Sequence, residues 1–288
     1  MKTKIFGITV IAALLLFSCK DDEKTEIDTH TYHPSNNFSL PTSLIQTESF
    51  MNDIFQITFK FLADSTLWHR TTYPKVSRNG DTIGIDFGSA DTSTLYEVGD
   101  IRNRSGEMRI VFNGDWGTEN STMKIETRNL TLSHKMKING KIELANRGLR
   151  PYNSAQCPTY EFAGVMDTIT VFGGDTTSFI YSSFKTYYLI QGNGTPELSD
   201  DIYVASGTAQ GKWGNKNSFN LETLENKDFR SPMDCNWFTD GSAKIYVKLE
   251  QYDVAQEKKI TFEKASCSPY ATLYVGNDGT TPLRVELP

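Results

Sequence analysis

Met136-Lys137-Ile138-Asn139-Gly140-Lys141-Ile142-Glu143-Leu144 decides how this chain folds, because its centre supports two opposite readings. Asn-Gly between alternating apolar residues is the strongest short-range hairpin signal. A two-residue turn there would set Ile138 against Lys141 and send the pairs 136/138 and 142/144 to opposite faces of a sheet. All four apolar residues are even-numbered, however, so an unbroken strand places them on one face and carries Gly140 inward with them. The parity therefore predicts one long strand.

The same period recurs on either side. Ile83, Ile85 and Phe87 share a face; so do Met108, Ile110 and Phe112, with Glu107, Arg109 and Val111 opposite, and Met123 and Ile125 continue the pattern. Further on, Ala243, Ile245, Val247 and Leu249 alternate with Lys244, Tyr246, Lys248 and Glu250; Ile260 with Phe262, and Leu283, Val285 and Leu287, follow suit. Half-buried strands separated by turn residues predict a mainly antiparallel β-sandwich or rolled sheet. One helix precedes them. Pro41 introduces it, Thr47 suits its start, Asp53 sits in its early turns, and Phe50, Ile54, Phe61 with Met51, Phe55, Leu62 recur at helical spacing up to Asp64. This predicts an amphipathic N-terminal helix whose aromatic stripe packs on the sheet of its own domain. Gly148 to Pro158, broken by Pro151 and Asn153, is the best boundary: 38–150 would hold the helix and a first β-rich half and 151–288 a second, with one continuous domain 38–288 as the alternative.

Composition narrows the functions. Across 288 residues the net charge is −6, with Lys and Arg interspersed among acids, which excludes the basic patch that nucleic acid requires. Residues 1–18 form a basic start (Lys2, Lys4) and an apolar run from Ile5 to Phe17, too short to span a bilayer and flanked like a cleaved signal peptide. Leu16-Phe17-Ser18-Cys19 resembles a bacterial lipobox, which implies covalent lipid on Cys19; two or more acyl chains hold a membrane stably where one does not. Removing residues 1–18 takes away two lysines and leaves −8. Lys20-Asp21-Asp22-Glu23 resembles the acidic export tag of Bacteroidota surface lipoproteins, and 19–37 reads as a lipidated flexible tether. The expected location is the outer membrane, lipid-anchored and facing the cell exterior.

Sites of chemistry are sparse. No nucleophile elbow, phosphate loop or paired Cys-x-x-Cys occurs, so no catalytic residue is assigned. His30 and His33 lie in the tether without the second shell that fixes a metal, and His69 and His134 read as structural; no metal ligand and no cofactor beyond the Cys19 lipid is expected. Asp81, Asp86, Asp91, Glu97 and Asp100 read as solvated turn acids. Cys157, Cys235 and Cys267 are an odd set, with Cys235–Cys267 the expected disulfide and three reduced buried thiols the alternative. Trp116 and Trp213 sit in Gly-rich turns where exposed rings would make a glycan-stacking shelf, whereas burial would make them core.

The chain resembles a recurrent family of Bacteroidota surface lipoproteins of unassigned activity. The resemblance rests on Ile83-Gly84-Ile85-Asp86-Phe87-Gly88 after Tyr73-Pro74, Gly106-Glu107-Met108-Arg109-Ile110-Val111 before Gly114, and the Gly140 strand. It continues in Gly207-Thr208-Ala209-Gln210-Gly211, Cys235-Asn236-Trp237, and Cys267 before a last hairpin. In that family a cysteine often follows the first Asp-Phe-Gly segment; Ser89-Ala90-Asp91 stand there instead. The resemblance implies a lipid-anchored helix-plus-β surface module and no reaction. The functional expectation is a non-enzymatic interaction or accessory subunit of an outer-membrane complex, serving nutrient uptake or β-barrel assembly and docking on a β-barrel partner. A glycan-binding lipoprotein is the first alternative and a hydrolase with a site assembled only in three dimensions the second.

Overall fold

The computed structural model describes residues 36–89, 102–133, 136–165, 169–172, 178–214, 217–250, 254–264, 267–275 and 281–288. They belong to one compact unit, Tyr32–Pro288. Cys19, the segment Lys20 to Glu23, His30, His33, Asp91, Glu97, Asp100 and His134 lie outside the described residues.

Among the described residues there is one α-helix, α1 (Asn36–Ala63), which opens the fold. It begins inside the stretch read as tether and takes Pro41 into its second turn. A mid-helix proline costs about 3 kcal/mol, but Leu40, Leu44 and Ile45 are buried beside it, and each such side chain returns about 1.5–3 kcal/mol. A short 3₁₀ turn, Ser65–His69, follows and is capped by the Asp64 carboxylate accepting from Thr66 N at 2.9 Å.

The strands are β1 (Lys75–Asn79), β2 (Thr82–Asp86), β3 (Arg104–Asn113), β4 (Thr122–Leu132), β5 (Met136–Tyr152), β6 (Ala155–Gly164), β7 (Ile169–Phe172), β8 (Ser178–Gln191), β9 (Ile202–Trp213), β10 (Asn217–Thr223), β11 (Phe229–Pro232), β12 (Ser242–Lys248), β13 (Gln256–Phe262), β14 (Tyr270–Val275) and β15 (Thr281–Glu286). They make one antiparallel meander from β1 to β15, with β7 pairing β5 and β8, and β11 pairing β9. β5 runs unbroken through Asn139-Gly140, burying Met136, Ile138, Ile142 and Leu144. The stretch 148–158 is the tip of the β5–β6 hairpin, so one sheet spans both halves of the sequence.

Of the two expected architectures the structure adopts the rolled sheet. One helix touches strands from across the whole meander: Asp53 meets Arg104 of β3, Phe55 packs on Phe162 of β6 and stacks on Tyr187 of β8, Gln56 bonds Ser231 of β11, and Gln46 bonds the Glu286 carbonyl of β15. Every residue from Thr47 to Phe59 is consequently buried. The aromatic stripe packs on the sheet, as its spacing requires, but the polar side of the helix is enclosed as well.

The segment from Met233 to Thr239 links the start of β3 to the residue beyond β15. Asn236 O accepts from Arg102 beside β3, and Trp237 Nε1 donates to Pro288 O beyond β15. Cys235 is disulfide-bonded to Cys267, while Cys157 is a buried free thiol. Both edges are blunted, as open sheet edges require if they are not to pair with another chain. Val76 N of β1 bonds Arg70 O, and β15 carries Pro282.

Enclosing the polar side of α1 brings carboxylates into the core, and each meets a cation. Asp53 accepts from Arg104 Nε at 2.9 Å and Nη2 at 2.7 Å, with Arg102 Nη2 at 2.7 Å. Glu48 accepts from the Tyr181 hydroxyl at 2.7 Å and forms an ion pair with Lys185 Nζ at 3.2 Å. Burial by itself would raise the Asp53 carboxyl, but the two guanidiniums outweigh it and hold the group below its ordinary 3.8. Its contribution is thus present above 3.8 and lost as pH falls through the lower, folded-state value. Asp53→Asn should lower stability at neutral pH by about 3–5 kcal/mol, with the loss shrinking in acid, as read from urea midpoints across pH.

Asp201, buried beside Tyr203, has the opposite sign: burial first, and Asp200 second, push its carboxyl up to about 6. The native state therefore holds a proton that the unfolded chain releases, and stability declines as pH climbs from 3.8 to about 6. Asp201→Asn should raise the urea midpoint at neutral pH and leave it unchanged below 3.8. The disulfide closes a loop of 32 residues, worth about 3–4 kcal/mol by chain entropy. Replacing both cysteines by serine should lower the thermal midpoint accordingly in calorimetry.

Candidate functional site

In an up-and-down roll the interior is the usual place for a ligand, and here α1 fills it. A concave feature lies outside, on the outer face of β1 to β5, with a volume of about 820 Å³. Its geometry follows from register. Val76, Ile85, Met108 and Thr127 are cross-strand neighbours whose side chains point inward, and Gly140, next in the row, has none, so the backbone of this row forms the floor. One wall row is Lys75, Asp86, Glu107 and Arg128; the next is Ser77, Gly84, Arg109, Glu126 and Lys141.

The curvature comes from a β-bulge. Register slips between Ser105 and Glu107 on β3 and between Thr127 and Leu130 on β4. Gly106 occupies φ +92°, where an added Cβ would stand 2.2 Å from Asn129 O, so no other residue fits without moving the neighbouring strand. The bulge leaves Asn129 N without a ladder partner, and the Asn139 side chain accepts from it at 2.5 Å. Asn139 thus serves as support for a bulge in the neighbouring strand.

Charge in the groove is dense and loosely paired. Arg109 lies 3.4 Å from Glu126, Lys141 3.9 Å from the same carboxylate, and Arg128 3.8 Å from Glu107. These side chains are 39–81% exposed, a setting in which an ion pair contributes at most about 1 kcal/mol. Exchanging them for a partner's charges therefore costs little. Gly84 adds a position without a side chain between Ser77 and Arg109, which opens the wall.

The residues singled out from sequence are scattered relative to this groove. Asp86 lines it, with Oδ1 accepting from Gly88 N at 2.8 Å. His69 is exposed in the 3₁₀ turn. Among the described residues no group of three His, Cys, Asp or Glu side chains is arranged to hold a metal, and no helix is long and apolar enough to cross a membrane. Trp116 is half-buried, its ring stacked 5.8 Å from Tyr160 and edge-on to Phe59 of α1. Trp213, also half-buried, packs against the core at the far end of β9. Tyr160 lies 6.1 Å from Tyr203 at the start of β9, and the ten residues from there to Trp213 extend about 30 Å. The two tryptophans do not form one shelf.

Sequence reading missed the wall residues Lys75, Arg109, Arg128 and Lys141 as a set. Their signal is outward parity combined with charge, but only the bulge brings the rows into one concave face. Comparison with protein-family models, with curated proteins and with solved structures finds no match.

Proposed function

We propose that this protein is a lipid-anchored, surface-exposed interaction module of the outer membrane, without enzymatic activity of its own, and that the groove across β1 to β5 is where its protein partner docks. The observation that carries the reading is the exchange of inside for outside. The interior is taken by α1, while the outer face offers about 820 Å³ walled by weakly paired charges. Such a wall favours a polar, charged protein surface, whose own charges replace the ion pairs one for one. Sugar recognition is less well supported, because no tryptophan lines the groove. The anchor is the part that the lipobox at Cys19 and the acidic run Lys20 to Glu23 suggest. The partner class is a β-barrel assembly at the outer membrane, for nutrient uptake or barrel assembly.

A photo-crosslinking side chain at Arg109, in cells that carry the full-length protein, should give one discrete adduct. The same probe at Lys212, on the outer face of β9, should give none. Reversing Arg128 and Lys141 to glutamate should weaken the adduct by tenfold or more. Labelled palmitate should enter the wild type and not Cys19→Ala. Equal adducts from both positions, or strong glycan-array binding without an adduct, would overturn the docking assignment.

A further inference from the structure

The sequence holds four Asn-Gly pairs, at 79–80, 113–114, 139–140 and 193–194. Asn-Gly is chemically labile because glycine, lacking a side chain, lets its amide nitrogen reach the preceding carboxamide. Attack of that nitrogen on Cγ forms a C–N bond and expels ammonia, leaving a cyclic imide. Water then opens the ring at either carbonyl to give aspartate or isoaspartate. The net change is one water in and one ammonia out, with no oxidant, reductant or enzyme. The step requires a free glycine N–H, a loose carboxamide and a backbone able to swing.

We infer that the fold directs this modification to Asn79. Asn79 and Gly80 sit at the exposed β1–β2 turn, where Asn79 pairs with Thr82. Among the described residues neither the Asn79 side chain nor Gly80 N makes a hydrogen bond. Gly80 takes φ +55° with nothing within 4 Å of a would-be Cβ, a space that Gly114 and Gly194 share, and its carbonyl accepts from Arg78 Nε at 3.3 Å, on the exposed side, away from the attacking nitrogen of its own amide. The other three pairs are each restrained. Asn139 lies within β5, its carboxamide accepts from the bulged Asn129 N, and its backbone pairs with Thr170 of β7 while Gly140 pairs with Thr127 of β4. Gly194 N already donates to Gly192 O at 2.6 Å, which withholds the attacking nitrogen. Asn113 Nδ2 is tied to Thr122 Oγ1, though at 3.4 Å, which makes it the second site in order.

The location gives the reaction a consequence. Asn79 lines the groove beside Thr82, so each conversion adds a negative charge to its rim, and isoaspartate also lengthens the turn backbone by one atom. The modification would thus mark old molecules on the face proposed above to meet a partner. The inference stands on local chemistry and survives if the docking assignment fails.

The test holds the folded full-length protein in mildly alkaline buffer and maps peptides by mass spectrometry over time, with a parallel sample in urea. Exchange of NH2 for OH should occur at Asn79 first, about tenfold or more ahead of Asn139, since the latter must first give up ladder hydrogen bonds. In urea the four sites should converge. Asn79→Gln should abolish the fast phase, and Gly80→Ala should slow it. Equal rates at Asn79 and Asn139 in the folded protein would overturn the inference, as would an Asn79 that stays intact while converting in urea.

Discussion

Asp53 is the point on which the structure turns. It sits in the stretch of α1 from Thr47 to Phe59 that has no solvent-facing side, and is met by two guanidiniums from the stretch that begins β3. A carboxylate in that position must either lose its charge or be surrounded, and here it is surrounded. The same demand applies around the helix: Glu48 takes Lys185 and Tyr181 from β8, and Gln56 Nε2 donates to Ser231 Oγ, Pro232 O and Cys235 O. Apolar contacts set how tightly sheet and helix pack. These polar contacts set the rotation and depth of the helix, because a shift of one residue would strand several buried charges at once.

That constraint explains why the sheet is rolled. A helix with only an apolar stripe can lie on one face of a sheet and leave its polar side in water. This helix carries Thr47, Glu48, Ser49, Asn52, Asp53, Gln56 and Thr58 among its buried residues; Thr47 and Thr58 bond back to carbonyls of their own helix, and the sheet curls until strands supply partners to Glu48, Asn52, Asp53 and Gln56. Of the strands that do so, β3 stands four places from β8 along the meander, and β11 pairs with β9 on the far side of β8. Their convergence on one helix therefore fixes the curl. The segment around Cys235 then ties the helix to the start of β3, with its carbonyls taken up by Gln56 and Arg102.

The periodicity made the strands legible, and parity alone decided that Asn139-Gly140 is no turn. The disulfide partners and the existence of a single N-terminal helix were also within reach. The enclosure of the helix was not. Helical spacing reports which residues are apolar, and Glu48, Asn52, Asp53 and Gln56 look like an ordinary solvated face until Arg102, Arg104 and Lys185 are known to stand opposite. Those three are 46 or more positions away in sequence, and two of them lie on strands where a basic residue reads as outward. The groove was hidden for a related reason: its charges are legible one strand at a time, but concavity is a property of register.

The bulge at Gly106 ties these levels together. It bends β3 against β4 just after Arg104, so the stretch that feeds guanidiniums to Asp53 is also the one that turns the outer face concave. The backbone group it leaves over is satisfied by Asn139, in the very dipeptide that reads as a hairpin. A side chain committed to holding a bulge cannot also shape a turn. The residue pair that looks most like a break in the sheet is, in physical terms, part of what keeps the sheet bent around its helix and hollow on its outer side.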